Sequence, residues 1–308
     1  MNIRNFVVVA LVCVVGVFSA AFADEPNVSE AATEAVESYG ESEAIADPQV
    51  ASPWAAARTY SEGVIRVPGQ FATISDAMLT AKTGDTVLVA PGVYRECVVM
   101  APGVTLISSD LFGAKIDAGG KGTAVTMGRG TSISRFEIKN GTIGIFSSDI
   151  GNSITENRIV NNWMTGIITV RHLPLIQDNI IAFNRASGIQ GWDVRSTAAT
   201  VNHNSIAYNG NHGISIGGSS EFIIENNVIA FNEKVGLRVL QEAEKIQVSA
   251  NNFWQNMWQP GKPLPDNNFA FDPAFIAPRS GMDFKPDPGQ CCKEKSAEGE
   301  NLGARLTY

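Results

Sequence analysis

Asp149, Arg171 and Asp193 stand 22 residues apart, and their types suit proton chemistry. An Arg between two carboxylates fits a lyase: the acids would hold Ca²⁺ as cofactor and the guanidinium would take the proton beside a uronate carboxylate. The same trio makes an ordinary surface ladder of ion pairs, each contributing under ~1 kcal/mol; this plainer reading is favoured. His212 and Arg238 occupy related places in successive repeats, and an imidazole can move protons near neutral pH. A third group is Trp192 with Gln190, Asp193 and Arg195. Sugar rings present apolar C–H faces that stack on indole, while the amide, carboxylate and guanidinium hydrogen-bond hydroxyls or a uronate. Arg171 lies one rung from Trp192 and Arg238 two, so these six residues form the candidate ligand-binding face. The competing reading caps Trp192 with its own loop or with the C-terminal tail.

Such residues meet only if a repeat stacks them. Asn157-Arg158-Ile159-Val160-Asn161-Asn162 returns as Asn179-Ile180-Ile181-Ala182-Phe183-Asn184, as Asn204-Ser205-Ile206-Ala207-Tyr208-Asn209 and as Asn227-Val228-Ile229-Ala230-Phe231-Asn232. A worn copy ends at Asn256, and Asn140 is expected to close an earlier one. Four residues after each closing Asn comes a Gly before an aliphatic residue: Gly144, Gly166, Gly188, Gly213 and Gly236. A period of 22–25 residues, filled with short β-branched runs broken by Gly and Asn, denotes a solenoid of β-strands. The expected fold is all-β, a single-stranded right-handed parallel β-helix. Ile159, Ile181, Ile206, Ile229 and Phe253 are expected to form an inward ladder, and the Asn residues to stack at the turns. Residues two after each Gly, namely Phe146, Ile168, Gln190, Ser215 and Arg238, should point outward. The longest Gly interval, Gly188 to Gly213, predicts a bulge around residues 192–197. Glu156, Asp178 and His203 are read as a solvated turn, and Phe183, Tyr208 and Phe231 as a packing ladder.

Outside the repeats the chain divides by composition. Residues 1–23 carry Arg4, an apolar run to Phe18 and Ala21-Phe22-Ala23, the pattern of a signal peptide cleaved after Ala23. Residues 24–60 form an acidic, Ala- and Ser-rich leader expected to be disordered. Residues 61–258 hold the β-helix with its N-terminal cap, a short helix marked by Ile74, Ala77, Met78 and Ala81; residues 259–308 form an irregular tail closing the solenoid. Lys and Arg total 23 against 31 Asp and Glu, a formal charge of −8, which supports no nucleic-acid partner. There is no second apolar span long enough to cross a bilayer. Cys97 reads as a core filler, and vicinal Cys291-Cys292 as a pair that oxidises, bridges elsewhere or binds a soft metal; no metal site is assigned.

With these motifs in place, the chain resembles the right-handed parallel β-helix proteins of the pectate-lyase-like group. Phe71-Ala72-Thr73-Ile74-Ser75-Asp76-Ala77 followed by Gly84-Asp85-Thr86-Val87 through Arg95-Glu96 resembles that group's entry segment, and Asn268-Phe269-Ala270-Phe271-Asp272-Pro273 its exit. The group spans lyases, hydrolases, epimerases, adhesins and copper-processing periplasmic proteins, so the resemblance specifies fold more than activity. His212-Gly213-Ile214 is similar to the Gly-His-Gly motif of polygalacturonases, with Arg238 at their substrate-binding Arg. Those enzymes need carboxylates where this chain has Thr165, Gly166, Ser187 and Gly188, so polygalacturonase chemistry is not expected. The expectation is an exported, periplasmic or extracellular monomer that binds or processes polysaccharide on a lateral face, with lyase-like activity if it is an enzyme. The alternatives are a structural or adhesive module and a periplasmic accessory or metal-handling protein.

Overall fold

The computed structural model describes residues 63–195, 197–218, 221–240, 246–257, 267–279, 283–286 and 302–306. All fall within the compact unit Thr59–Tyr308. The signal peptide, the acidic leader and Cys291-Cys292 lie outside the described residues.

Three parallel sheets wind around one apolar core as a right-handed β-helix. Among the described residues sheet A has nine strands, sheet B eight and sheet C seven. One coil runs through Ser153–Thr155 in sheet A, Arg158–Val160 in sheet B and Ile167–Val170 in sheet C. Register stays in step: Ile159, Ile181, Ile206, Ile229 and Phe253 pair in succession along sheet B. The four isoleucines are fully buried and Phe253 is half-buried at the last rung. Burying each such side chain favours folding by about 1.5–3 kcal/mol, so stacking identical coils accumulates a core without long-range loops.

The repeated Asn residues hold the corners. At both turns around sheet B the residue before the ladder Asn adopts a left-handed backbone: Glu156, Asp178 and His203 at the first corner, Asn161, Phe183 and Tyr208 at the second. That conformation is costly for a side chain other than Gly, and the ladder Asn offsets it. The backbone N–H and side-chain amide of Asn179 both donate to Asn204 Oδ1, each at 3.0 Å. The same pattern links Asn157 through Asn251 to Asn268, and Asn162 through Asn232 to Asn256. Asn140 is not part of this series. Gly141 N–H donates to Asn162 Oδ1 at 2.9 Å, so Gly141 fills the ladder place and Asn140 bonds Asp117 instead. The coil is one residue shorter at that corner, which a count from the strand glycines does not reveal.

The strand glycines have a packing cause. A Cβ at Gly166, Gly188 or Gly213 would lie 2.7–2.8 Å from the carbonyl of the next coil's Gly and press on the Ile of the inward ladder. At the N-terminal end a helix, α1 (Ile74–Thr80), covers the first coil with Ile74, Ala77 and Met78 buried. Thr73 caps it, and Glu96 accepts the Ile74 and Ser75 N–H groups at 3.0 and 2.7 Å. Cys97 departs from expectation. It is exposed, because Val98 and Met100 take the two inward places of that run.

The C-terminal stretch is more regular than its composition implies. Phe275–Ala277 and Asp283–Pro286 pair as an antiparallel hairpin. Phe284, Ala304 and Leu306 pack on Val160, Ile180, Ala182 and Ala207 on the outer side of sheet B. Phe183, Tyr208 and Phe231 stack at 5.3 and 4.9 Å, and Phe284 meets the first two at 5.6 and 6.2 Å. Arg305 grips Asp178 through Nε at 3.0 Å. Asp178 and His203 are therefore buried, not solvated as their place in a turn suggested.

Candidate functional site

Alternation along the sheet C strands sends Ile145, Ile167, Ile189 and Ile214 into the core and the next residue of each strand outward. The outward column does not face water evenly. Phe146, Ile168 and Ser215 are buried outside the core clusters, Gln190 is half-buried and Arg238 is exposed. His212 is buried, and Arg238 Nη1 lies 3.5 Å from its Nε2. Thr165 Oγ1 donates to Gln190 Oε1 at 3.3 Å. Thr165 with Gln190 and His212 with Arg238 thus form two polar pairs, the outward Gln190 and Arg238 standing two rungs apart on the later coils. The outward residues Val99, Thr126, Phe146, Ile168, Gln190, Ser215 and Arg238 include no carboxylate.

Asp149, Arg171 and Asp193 behave differently from the expected ladder. Val170 pairs with Trp192, and Arg171 donates its N–H to the Trp192 carbonyl at 3.0 Å, so the backbone rungs are adjacent. The side chains do not pair. Among the described residues no ion pair joins Arg171 to either Asp; Asp193 holds Arg195 at 2.9 Å instead. Arg171 and Asp193 both adopt left-handed backbones, and both side chains are exposed.

The longest coil is irregular in both directions among the described residues: Asp193 and Arg195 are exposed, the register against the next strand of sheet A shifts between Thr197 and Ala199, and Val194 points inward. The extra residues lie between Trp192 and Thr200, and Val194 turns inward to full burial in the core. Its methyl fills the space beside Gly191, where a Cβ would be 3.0 Å away, and its N–H donates to the Gly217 carbonyl at 2.9 Å. Trp192 is half-buried beside this inward turn. Gln190 and Trp192 share a strand, Asp193 and Arg195 follow as an exposed pair, and Arg238 stands two rungs on.

Two charged features escaped the sequence reading. Trp163 is 54 % exposed, and the Arg185 guanidinium lies 4.2 Å from its ring centre. Both residues directly follow a ladder Asn, a position the motif count skipped. The second is Glu137, buried on the outer side of sheet B among Lys139 at 2.9 Å, Arg158 at 3.3 Å and Lys115 at 3.6 Å. Burial works to raise the Glu137 carboxyl; the Lys139 hydrogen bond and the charges of Lys139, Lys115 and Arg158 outweigh it and hold the group below the usual range. Among the described residues no three His, Cys, Asp or Glu side chains come together as a metal cluster, and no helix is long and apolar enough to cross a membrane.

Among solved structures, the chain is similar to the pectate lyase Pel9A at 12 % identity, covering 76 % of this chain and 91 % of that one with a TM-score of 0.47. A pectin methylesterase in complex with a hexasaccharide shares 12 % identity, covering 75 % and 99 % at a TM-score of 0.35. The pectin methylesterase PemA from Erwinia chrysanthemi shares 11 %, covering 75 % and 99 % at 0.33. No curated protein matches the chain. The family model of the periplasmic copper-binding protein NosD matches residues 80–261, from the end of the capping helix through the last full coil. That span exceeds half of the 308 residues and contains the stacked coils themselves, so the chain belongs to the NosD family of periplasmic β-helix proteins.

Proposed function

We propose that this is an exported, non-catalytic β-helix protein that binds polysaccharide on the outer face of sheet C, around Gln190, Trp192 and Arg238. One observation carries the reading: over the later coils that outward column changes from enclosed apolar residues to an amide and an exposed guanidinium, with no carboxylate among them. Hydrogen-bond donors beside an indole suit sugar hydroxyls and a ring face. A column without a carboxylate suits retention of the ligand over its hydrolysis. The test is a glycan array with the mature chain, followed by product analysis on each hit. Binding without products, weakened roughly tenfold by Arg238→Ala, is the expected result; released sugars, or no hit at all, would sink it.

A second reading follows from the family, whose description is copper binding. The described residues do not fit a copper site. Among the described residues His172, His203 and His212 lie at separate turns, Cys97 is the one thiol, and no three His, Cys, Asp or Glu side chains come together. Soft-metal binding would rest on Cys291-Cys292, outside the described residues. Anaerobic Cu(I) titration of the mature chain against Cys291→Ser with Cys292→Ser distinguishes the two readings, since a metal-handling chain loses its stoichiometric uptake in the double variant.

A further inference from the structure

The corner leading from sheet B into sheet C carries a column of residues in step with the coils. Trp163, Arg185, Gly210 and Glu233 each follow a ladder Asn and donate their N–H to a ladder carbonyl one coil back, at 2.8, 3.0, 2.9 and 2.9 Å. The backbone of the column is therefore as fixed as the strands. Two facts set its upper half apart. More than half of the Trp163 surface faces water although Arg185 covers one ring face, so the open area lies on the opposite face and outer edge. Arg185 is itself exposed, and among the described residues no carboxylate pairs with it. Its N–H donors lie in the plane of a guanidinium oriented by the indole. The next place in the column is Gly210, where a Cβ would run into the Arg185 carbonyl, so the column itself carries no side chain between Arg185 and Glu233.

We propose that Trp163 and Arg185 form a binding site for a uronate residue of an acidic polysaccharide. The indole offers its open face to the C–H side of one sugar ring, and the guanidinium, on the other side of the indole, offers paired donors to the carboxylate of an adjoining uronate residue of the same polymer. The acidic class follows from the Arg185 guanidinium, exposed and with no carboxylate partner among the described residues. A chain of formal charge −8 has no broad field to draw a polyanion, so recognition needs a local cation held free of protein carboxylates, and Arg185 is one. The site lies two residues before the column of Thr165, Ser187 and His212. A polymer crossing it runs onto the sheet C face, and in that respect the site rests on the glycan-binding reading above.

The test is calorimetric titration of the mature chain with oligogalacturonate and with a neutral galactan oligosaccharide, alongside thermal melts. Trp163→Ala is expected to weaken oligogalacturonate binding roughly tenfold with little change in melting temperature. Arg185→Gln is expected to remove the preference for the acidic ligand while leaving galactan affinity unchanged. If Trp163→Ala melts early, Trp163→Phe decides: retained binding supports the site and lost binding overturns it. Unchanged oligogalacturonate affinity in Trp163→Ala, with loss in Arg238→Ala, overturns the corner site and keeps the sheet C face. Unchanged affinity in both variants overturns both. Equal affinity of the natural chain for the acidic and neutral ligands, or none for the acidic one, overturns the uronate assignment, and the glycan array then judges the broader reading by itself.

Discussion

From Val160 to Ala230 the outer side of sheet B is mostly apolar and roofed by the chain's own C-terminal segments, whereas the outer side of sheet C turns polar toward Arg238. The inward ladders are alike; the outward columns differ. On sheet B, Val160, Ala182, Ala207 and Ala230 form a column of small apolar residues, low enough for Phe284 and Leu302 to reach full burial against the neighbouring rungs. On sheet C, Ile168 gives way to Gln190, Ser215 and Arg238. In a solenoid, a run of small apolar residues along one outward column denotes a face that the chain covers itself. A change of polarity along the other column removes the apolar surface on which such a roof would pack.

Removing the roof's anchor should produce the largest effect. Phe284 is 1 % exposed and meets the rings of Phe183, Tyr208 and Phe275. Phe284→Ala should cost about 3–5 kcal/mol, read by chemical denaturation, and should raise binding of an apolar dye. A stability change under about 1 kcal/mol would show that the roof contributes little and that the two faces are less different than their columns suggest.

A smaller loss is expected where the roof is pinned by charge. Asp178 is buried and receives the Arg305 backbone N–H at 3.2 Å and Nε at 3.0 Å. Asp178→Asn keeps the shape but weakens charge-assisted bonds, at a cost of roughly 2 kcal/mol. The same change at exposed Asp193, whose partner Arg195 is also exposed, should fall within about 0.5 kcal/mol. Equal losses at the two sites would remove the distinction between a roofed and an open face.

Legibility in the sequence follows the same division. The Ile and Asn ladders could be read because one residue type recurs wherever one physical demand recurs: a buried methyl-bearing chain, or an amide that bonds the coils on either side. The offset at Asn140 was hidden because the coil shortens at a corner while the strand glycines keep their spacing. Val194 was hidden because an insertion occurs once, and only the hole beside Gly191 turns it inward. The roof joins residues far apart, such as Ser205 and Phe284 at a separation of 79, with no period to betray them. Of the candidate site, the placement of Gln190, Trp192 and Arg238 on one face was legible from strand alternation. The Trp163–Arg185 stack was not, because the motif count ended at the ladder Asn.

The unroofed N-terminal part of sheet B gives a pH test. The carboxyl of Glu137 is held below its ordinary range in the folded chain, so the folded state favours the charged form. Its contribution is fully present above the unfolded value of about 4.3 and is lost as pH falls through the depressed folded value. Glu137→Gln should therefore be less stable than the natural chain at neutral pH, and the gap in denaturation midpoint should close as pH drops below about 4. A gap that stays constant down to the acid limit would mean that Lys115, Lys139 and Arg158 do not act through the charge of Glu137.

Arg171 should give the smallest effect. Its side chain is exposed and no described ion pair holds it, although its backbone bonds Trp192 and Arg195. Arg171→Ala keeps the Cβ, so the left-handed backbone at φ 64° is strained to the same degree before and after. What the substitution removes is a solvated cation near Asp149 and Asp193, and at this exposure the change in stability should lie within about 0.5 kcal/mol. A working ladder of ion pairs would behave differently: its loss would exceed that figure at low ionic strength and shrink as salt is added. Denaturation of both chains at two salt concentrations decides between them. A salt-independent, near-zero difference leaves the cation at Arg171 available to a ligand bound on the sheet C side, where Arg238 also faces water.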